Sequence, residues 1–521
     1  MRKLILLSPL LFVVALVPAQ TRKPASSKGS LSPVVKVEGG RVEGYRDGSG
    51  LLIFKGIPFA APPVGALRWK APQPVIPWQG IRKCTAFGPS PMQPAPAPFY
   101  MWSSEFLIPK APISEDCLYL NVWTGAHASK DKRPVLVWIY GGGFSSGGSG
   151  VPIYDGAAYA KRGVVFVSIN YRVGIFGFLA LPELDRESPD HVSGNYGLLD
   201  QIAALRWVKK NITAFGGDPD NVTIAGQSAG SMSVNCLVAS PLARGLFNKA
   251  IAESGANFTG GGFGIPSLQD KEKAQENIES HLKASSLADL REISADSLLK
   301  VGGGWGPNID GYVLPEPIAR IFEQGRENKV PLLTGWNQGE GLLFGPVATE
   351  QAFRKMATAY GADSTAFLKF YPAGSDSQAA ASQLDLQRDK IFGVQNYTWA
   401  NLESSQGIPV YVYRFTHKVP GTGVYAKFGA FHTGEVPYAY GNLKFSDRPF
   451  KPVDYALEKT MSSYWINFIK SGDPNEKGLP DWPLYKSGTQ KIMQLGDVSH
   501  AETIPDRARL DFLRNLMNSG K

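Results

Sequence analysis

Short runs of apolar residues recur along the chain, and each run predicts a strand that is covered on both faces. A continuous apolar stretch of about four to eight residues is typical of such a strand, because neither face meets water. Residues 34–56 instead alternate apolar and polar positions between glycines, which predicts small antiparallel strands. Residues 114–123 predict one further strand. The continuous runs are residues 134–139, 164–169, 222–225, 250–254, 330–335 and 410–415.

Between these runs the apolar positions follow a helical period. Residues 198, 199, 202, 205 and 208 are apolar, so residues 198–208 predict an amphipathic helix. The alternation of strand and helix is βαβ order, which predicts an α/β fold with a large central, mostly parallel sheet and helices on both faces. Other segments also predict helices: residues 231–238, 455–470 and 506–517, and two helical insertions over the sheet within residues 268–300 and 347–405.

Composition supports a large folded body. The 521 residues are 43% hydrophobic and 19% charged, which allows an extensive core and excludes a disordered chain. The formal net charge is +9, but the basic residues form neither a stripe nor a nucleic-acid-binding module. We therefore expect residues 34–521 to form a single domain with no nucleic-acid partner.

The first 19 residues have the pattern of a secretory signal peptide. Arg2 and Lys3 form a basic start, residues 4–16 are mostly apolar, and a cleavage site follows at residues 17–19. The apolar run is too short to span a bilayer, which needs roughly 20 residues. Residues 20–33 form a polar linker. We expect a secreted or periplasmic protein with no stable membrane insertion after the signal is removed.

The candidate chemistry centres on residues 226–230, Gly-Gln-Ser-Ala-Gly, which follow a predicted strand and precede a predicted helix. A sharp strand-to-helix turn lifts the serine out of the sheet and leaves no room for side chains at Gly226 and Gly230. Ser228 is therefore the candidate nucleophile. The start of the helix also presents the N–H of Ala229 where an oxyanion would form.

A second glycine run lies upstream, at residues 141–143, directly after the predicted strand 134–139. Glycines at the end of a central strand let backbone N–H groups turn inward. Gly142 and Gly143 are therefore the candidates for the second half of an oxyanion hole.

A serine nucleophile needs a histidine base, and the chain has six histidines. In the α/β-hydrolase chain order the histidine follows the serine and the acid. His432 lies in an apolar loop flanked by glycines, which suits a side chain that projects into a pocket. His417 follows a predicted strand and is the alternative.

An acid must orient the histidine, and Glu340 is the preferred candidate. It lies between two glycines, directly after the predicted strand 330–335. Asp310 is the alternative, in a turn that precedes that strand. No metal or other cofactor is expected for chemistry of this kind.

Longer motifs resemble the type-B carboxylesterase family, which includes carboxylesterases, cholinesterases and bacterial p-nitrobenzyl esterases. The resemblance runs from about residue 35 to the C-terminus. It implies an α/β-hydrolase catalytic domain with helical insertions over the active site and a Ser228, Glu340 and His432 triad. The motifs are residues 56–60 (GIPFA), 63–68 (PVGALR), 115–122 (EDCLYLNV), 141–144 (GGGF), 170–174 (NYRVG), 194–200 (GNYGLLD), the serine turn, and His432 with residues 435–438 (EVPY).

The resemblance also implies the remaining site residues. An oxyanion hole would be formed by the N–H groups of Gly142, Gly143 and Ala229, and Ser254 would lie near the histidine. Two ion pairs are implied as well, Arg68 with Glu115 and Arg172 with Asp200.

Three features depart from the family pattern. Gln227 precedes the serine where the family usually has Glu, which argues against a cation-selective cholinesterase site. The first cysteine of the family's N-terminal disulfide falls at Pro91, so a bridge between Cys84 and Cys117 is expected in a shifted position. Trp102 is not at the spacing of a choline-binding tryptophan.

The sequence thus predicts an exported serine hydrolase that cleaves small-molecule carboxylic esters through an acyl-enzyme. A specialised esterase for bulky aryl, feruloyl-type or polyester substrates is the alternative. A cholinesterase-like binding protein is a remote one, because all three triad residues are present. The sequence does not determine the oligomeric state.

Overall fold

The computed structural model describes residues 32–259, 264–341 and 348–518. The predicted signal peptide, residues 1–19, and nearly all of the predicted linker, residues 20–33, lie outside the described residues. Residues 260–263, before the first predicted insertion, and residues 342–347, which include the first residue of the second, also lie outside the described residues.

The described strands form one large sheet and two small ones. The large sheet has eleven strands in the order β16-β15-β14-β13-β12-β11-β9-β10-β8-β4-β3. The strands are β1 (Val34–Val37), β2 (Gly40–Glu43), β3 (Tyr45–Arg46), β4 (Leu52–Pro58), β5 (Ile81–Lys83), β6 (Ser90–Pro91), β7 (Ile113–Ser114), β8 (Tyr119–Thr124), β9 (Arg133–Ile139), β10 (Val165–Ile169), β11 (Gly217–Gln227), β12 (Lys249–Glu253), β13 (Leu332–Asn337), β14 (Val410–Phe415), β15 (Lys491–Leu495) and β16 (His500–Thr503).

The centre of the large sheet is parallel, from β10 through β9, β11, β12, β13 and β14 to β15. Antiparallel pairs flank it, with β8, β4 and β3 on one side and β16 on the other. The chain order reverses between β9 and β11, because β10 lies on the far side of β9. In open α/β sheets, ligands bind beyond the carboxyl ends of the strands at such a reversal.

Helices cover both faces of the sheet. On one face, α4, α5 and α14 contact the sheet, and α10 packs on α5 and α14. On the other face, α16 contacts β9 and β11 and packs against α15. The helices are α1 (Ala157–Lys161), α2 (Gly174–Phe178), α3 (Pro182–Glu187), α4 (Tyr196–Asn211), α5 (Ala229–Ala239), α6 (Leu268–Gln275), α7 (Ile278–His281), α8 (Leu287–Glu292), α9 (Ala295–Leu298), α10 (Ile318–Glu323), α11 (Glu350–Ala357), α12 (Ser364–Phe370), α13 (Asp376–Arg388), α14 (Val394–Ser405), α15 (Val436–Ala439), α16 (Pro452–Ser471) and α17 (Arg507–Asn518).

The predicted strands and long helices are present, and the differences are local. The single strand predicted at residues 114–123 is divided into β7 and β8. The first insertion, residues 268–300, is divided into the four short helices α6 to α9. Serine side chains accept N–H groups at the starts of α6, α8 and α9, which satisfies donors that a helix start leaves unpaired.

Both ion pairs implied by the resemblance are formed. The Arg68 guanidinium lies 2.5 Å from Glu115, and the fully buried pair of Arg172 and Asp200 is bidentate, with both distances 2.8 Å. The Arg68 guanidinium also donates to backbone carbonyls of α8 and the residues after it, which ties the first insertion to the N-terminal region.

The expected disulfide between Cys84 and Cys117 is wrong, since both cysteines are free and buried. The backbone of Cys84 pairs with Lys55, at 2.8 Å, whereas Leu118, next to Cys117, pairs with Phe59 at 3.2 Å. Residues 55 and 59 are roughly 13 Å apart at about 3.3 Å per residue. A disulfide needs Cα atoms within about 7 Å, so the shifted cysteine is too far along the strand to pair.

Candidate active site

The turn between β11 and α5 holds Ser228 in a strained backbone conformation, with φ 58° and ψ −124°. The strand and helix approach so closely that a Cβ on Gly226 would lie 2.4 Å from the backbone of Gly230. A Cβ on Gly230 would lie 2.1 Å from the Ile139 carbonyl oxygen. The Ser228 N–H donates to the Glu253 carbonyl oxygen at 2.9 Å, which holds the turn at the end of β12. Glycine is therefore required on both sides of the serine, as the sequence predicted.

The structure brings Ser228, His432 and Glu340 into one hydrogen-bonded row. His432 Nε2 lies 2.8 Å from Ser228 Oγ, and His432 Nδ1 lies 2.7 Å from Glu340 Oε1. Glu340 lies in the turn after β13, and His432 lies in the loop between β14 and α15. Glu340 is fully buried and His432 is 2% exposed, so water does not compete for these contacts.

Asn337 joins the acid to the histidine loop, a role that no sequence pattern indicated. Its backbone N–H donates to Glu340 Oε2 at 2.9 Å, and its Nδ2 donates to the Phe431 carbonyl oxygen at 2.8 Å. The same amide donates to Glu435. One residue at the end of β13 therefore orients the Glu340 carboxylate through its backbone N–H and the residue before His432 through its side chain.

Phe392 stacks on the His432 ring, with ring centroids 4.6 Å apart and an interplanar angle of 23°. It lies in a π-helical turn, Asp389–Gly393, which joins α13 to α14. Such turns carry one extra residue per turn and are frequent at functional sites. The sequence predicted only helix here, because a π turn has no signature in the hydrophobic period.

The glycine run after β9 packs directly on the serine turn. A Cβ on Gly141 would lie 2.5 Å from the Gln227 carbonyl oxygen and 2.9 Å from Ser228 Cβ. Gly142 and Gly143 adopt positive φ angles of 118° and 61°, which only glycine tolerates easily. Both line the same cavity as Ser228 and Ala229.

Gln227 lies beside His432, whereas the contacts of Ser254 are with the neighbouring strands. Gln227 Nε2 lies 3.2 Å from His432 Nε2, and Gln227 Oε1 accepts from Thr433 Oγ1 at 3.3 Å. Ser254 is fully buried beside Tyr413, and its N–H donates to the Gly335 carbonyl oxygen at 2.9 Å.

The two alternative residues lie elsewhere. His417 contacts Asp454 at 2.8 Å and Asp497 at 2.6 Å. Asp310 accepts the backbone N–H groups of Tyr312 and Leu314, at 3.0 Å each, which is the role of a turn carboxylate.

Two further buried carboxyl groups belong to residues that contact the site, Glu253 through the Ser228 N–H and Glu435 through Asn337. Burial raises the pKa of Glu253 to about 7, although Tyr440 and Trp465 donate to its Oε1 at 2.7 and 2.8 Å. Burial, with repulsion from Glu253 and Glu340, raises the pKa of Glu435 well above its ordinary value. The protonated form of Glu435 is thereby favoured, which limits the negative charge around the row.

A cavity of about 780 Å³ opens beside Ser228 and His432. Aromatic rings from separate parts of the chain form its walls, among them Phe99, Trp102, Phe144, Trp305 and Phe392. Of its lining residues that the structure describes, none is Asp, Glu, Lys or Arg. The site therefore favours apolar, uncharged ligands.

Among the described residues, no group of three or more His, Cys, Asp or Glu side chains is arranged to hold a metal ion. Within the same part of the chain, no helix is both long and apolar enough to cross a membrane.

The sheet, the strained serine turn and the buried row together define an α/β hydrolase. A profile of the carboxylesterase family matches residues 31–513. The chain belongs to the carboxylesterase family, and it is a serine hydrolase of carboxylic esters.

Characterised relatives cover nearly all of the chain. It is 37% identical to "Fumonisin B1 esterase" of Sphingopyxis macrogoltabida, over 90% of this chain and 86% of the relative. It is 36% identical to "Para-nitrobenzyl esterase" of Bacillus subtilis (strain 168), over 91% and 96% respectively. It is 35% identical to "Liver carboxylesterase" of Sus scrofa, over 89% of each chain.

Proposed function

We propose that Ser228, His432 and Glu340 are the catalytic triad of this esterase. The observation that carries the proposal is the continuous row from Ser228 Oγ through His432 to Glu340, with contacts of 2.8 and 2.7 Å. In such a row the acid holds the imidazole in the tautomer that accepts the serine proton, and it stabilises the imidazolium that forms.

The reaction then has two halves. Ser228 Oγ attacks the ester carbonyl carbon while its proton passes to His432 Nε2, and the carbonyl oxygen becomes an oxyanion. The tetrahedral intermediate collapses as His432 returns the proton to the leaving alcohol, which leaves an acyl-serine. Water attacks the acyl carbon in the same way, and the acid and free Ser228 are released.

The oxyanion is proposed to accept hydrogen bonds from the N–H groups of Gly142, Gly143 and Ala229. Support comes from the close packing of the glycine run on the serine turn and from the position of Ala229 at the first residue of α5. Each donor in comparable sites contributes about 3 kcal/mol to the transition state.

The preferred substrates are proposed to be bulky, uncharged esters, including aryl esters. The volume of about 780 Å³ and the aromatic walls support this proposal, because such a cavity matches large apolar groups. The absence of a charged side chain among the described lining residues further disfavours anionic and cationic esters, whose desolvation would go uncompensated.

The protein is proposed to be exported and to lose residues 1–19. This rests on the basic start, the short apolar run and the small residues before Gln20. Mass measurement of the N-terminal peptide from exported protein tests it: cleavage before Gln20 is expected, and an intact Met1 would contradict the proposal.

The catalytic proposal is tested by burst kinetics with p-nitrophenyl esters. The wild type should release one equivalent of p-nitrophenol per site before steady turnover, whereas Ser228→Ala should show neither phase and an unchanged thermal midpoint. Ser49→Ala, at an exposed position that does not line the cavity, is the matched control and should retain the burst. A normal burst in Ser228→Ala would overturn the assignment.

A further inference from the structure

Lys271 is a buried basic residue outside the row formed by Ser228, His432 and Glu340. It lies in α6, in the first insertion, and is 3% exposed. Its ammonium donates to the Gly194 carbonyl oxygen at 3.2 Å, to Asn308 Oδ1 at 3.3 Å and to the Gly306 carbonyl oxygen. Burying an ammonium is costly unless its donors are paired, and here three acceptors surround it. Such a site calls for an explanation beyond packing.

The Gly306 acceptor belongs to a glycine-rich strap. Residues 302–306 are Gly-Gly-Gly-Trp-Gly, and the first three glycines are exposed. Glycine loses more conformational freedom on ordering than any other residue, so this strap needs an external contact to hold one shape. Trp305, in its middle, is partly buried and lines the cavity beside Ser228.

The strap is tied down immediately after Trp305. Gly306 lies against Phe144, another cavity residue. Asn308 exchanges hydrogen bonds with Asn195, at 3.0 and 2.8 Å, and this fixes the far end. Lys271 contacts both Gly306 and Asn308, and it is thus the side chain that joins the insertion helix to the strap one residue beyond the tryptophan.

We propose that Lys271 is a positioning residue, which fixes the strap 302–306 so that Trp305 forms a rigid wall of the substrate cavity and limits the size of the ester group that fits there. This inference rests on the proposed function, because it takes the cavity to be the one that binds the ester. Lys271 itself does not contact the substrate.

Helix α6 has other anchors, so loss of the Lys271 ammonium need not release it. The Ala180 N–H donates to Gln275 Oε1 at 2.8 Å, and the Leu268 N–H donates to the Ile309 carbonyl oxygen at 2.9 Å. Lys271→Met keeps the length and apolar stem of the side chain and removes only the donors. The variant should therefore fold with the strap released.

The test compares wild type, Lys271→Met, Trp305→Ala and the double variant. The readout is the ratio of kcat/KM for a bulky ester to kcat/KM for a small one. It is measured in an acyl series (p-nitrophenyl decanoate against acetate) and an alcohol series (naphthyl acetate against ethyl acetate). Trp305→Ala should raise the ratio by about tenfold in at least one series, because removing a large side chain from a pocket wall changes the discrimination between bulky and small substrates by at least that factor.

The double variant tests whether the effect of Lys271 depends on Trp305. Lys271→Met should shift the ratio in the same series and direction as Trp305→Ala, and it should add nothing when Trp305 is already absent. Lys273→Met, on the exposed side of the same helix, is the matched control and should leave the ratio unchanged.

Two results would overturn the inference. One is a lowered thermal midpoint for Lys271→Met with an unchanged ratio, which is the signature of a purely structural lysine. The other is an equal shift with and without Trp305. Failure of the proposed function itself is distinguishable, because the wild type would then show no p-nitrophenol burst with any ester.

Discussion

At the scale of single residues, the serine turn is determined by glycines that the packing demands. A methyl group on Gly226 or Gly230 would overlap backbone atoms rather than side chains, and backbone cannot move aside without breaking the sheet. Ser228 adopts its strained angles because the turn is held from several directions, by Ile139, Glu253 and Gly141.

Gly230→Ala is expected to destabilise the protein by about 4 kcal/mol or to prevent folding, because its Cβ would lie 2.1 Å from the Ile139 carbonyl oxygen. Urea unfolding measures the loss. Gly163→Ala is the matched control: its φ is also positive, at 88°, but its Cβ would meet nothing within 4 Å. It should cost only about 1 kcal/mol. Equal losses in the two variants would contradict the packing argument.

Gln227→Glu tests the charge beside the histidine. Gln227 Nε2 lies 3.2 Å from His432 Nε2, so a carboxylate at this position would stabilise the protonated imidazole. Protonated imidazole cannot act as a base, and the acidic limb of the kcat/KM profile should move to higher pH by about one unit. Gln227→Met should not move the limb upward. An unchanged profile for Gln227→Glu would show that the side chain has turned away from the ring.

At the scale of elements, the π-helical turn between α13 and α14 determines where Phe392 lies. The turn is anchored by charge: Arg388 contacts Asp389 at 2.7 Å, and Arg509 of α17 contacts Asp389 at 2.8 Å. Asp506 lies in the same network, and the neighbouring guanidinium groups of Arg414, Arg388 and Arg509 overcome the effect of burial and lower its pKa to about 2. The C-terminal helix thus supports the turn that packs on His432.

Phe392→Ala is expected to lower kcat/KM by about tenfold, because the His432 ring loses the stacked surface that holds its plane. Steady-state kinetics with p-nitrophenyl acetate measures the effect. Phe370→Ala is the control, since that ring packs on Phe512 of α17. A fall in activity of the same size in both variants would indicate general loosening instead.

Helix α14 also contains a buried carboxyl group that makes stability depend on pH. Burial raises the pKa of Glu403 from 4.5 to about 8, even though the Trp399 indole donates to it at 3.0 Å. Between these values the folded state binds more protons than the unfolded state. The free energy of unfolding should therefore fall with rising pH, by up to about 1.4 kcal/mol per unit.

Glu403→Gln removes the titrating carboxyl group, and with it this pH dependence of stability, but keeps an oxygen that accepts from the Trp399 indole. The advantage in stability of the variant over the wild type should grow between pH 4.5 and pH 8 and then level off. Thermal midpoints across this range provide the measurement. Glu292→Gln, at an exposed position, should show no such trend. A constant difference for Glu403→Gln would contradict the assignment.

At the scale of the whole molecule, the fold holds its N-terminal region without a disulfide. The ion pair of Arg68 with Glu115, the pairing of β4 with β8, and the packing of Trp69 beneath the first insertion connect this region to the rest. Burial raises the pKa of Cys84 to about 11 and that of Cys117 well above its ordinary value, so neither forms a thiolate readily.

Thiol titration tests this directly. Protein prepared without reductant should react slowly when folded and should yield three thiols per chain, the full cysteine count, when unfolded in guanidinium. Added dithiothreitol should leave the thermal midpoint unchanged. One thiol per unfolded chain would show that a bridge forms in the protein.

Sequence alone was sufficient for the parts of this protein that depend on local chemistry. The apolar runs predicted the central strands, because a strand that is buried on both faces consists mainly of apolar residues. The motifs identified the carboxylesterase family. The serine turn could be predicted because its two glycines, Gly226 and Gly230, lie close together in the chain and are required for steric reasons. The glutamate could be selected because it directly follows a strand, and the histidine because it lies in a glycine-flanked apolar loop that comes after the serine and the acid. Their catalytic roles remain proposals for the variants to test.

Tertiary structure alone decided what surrounds that row. Asn337, Phe392, Trp305 and Lys271 lie on different elements, and no spacing rule connects them before the chain is folded. The disulfide failed for the same reason, because the pairing of two cysteines depends on their positions along neighbouring strands rather than on their presence. Local geometry depends on residues that are close in the chain, whereas the shape and charge of the cavity depend on contacts between segments that are distant in the chain.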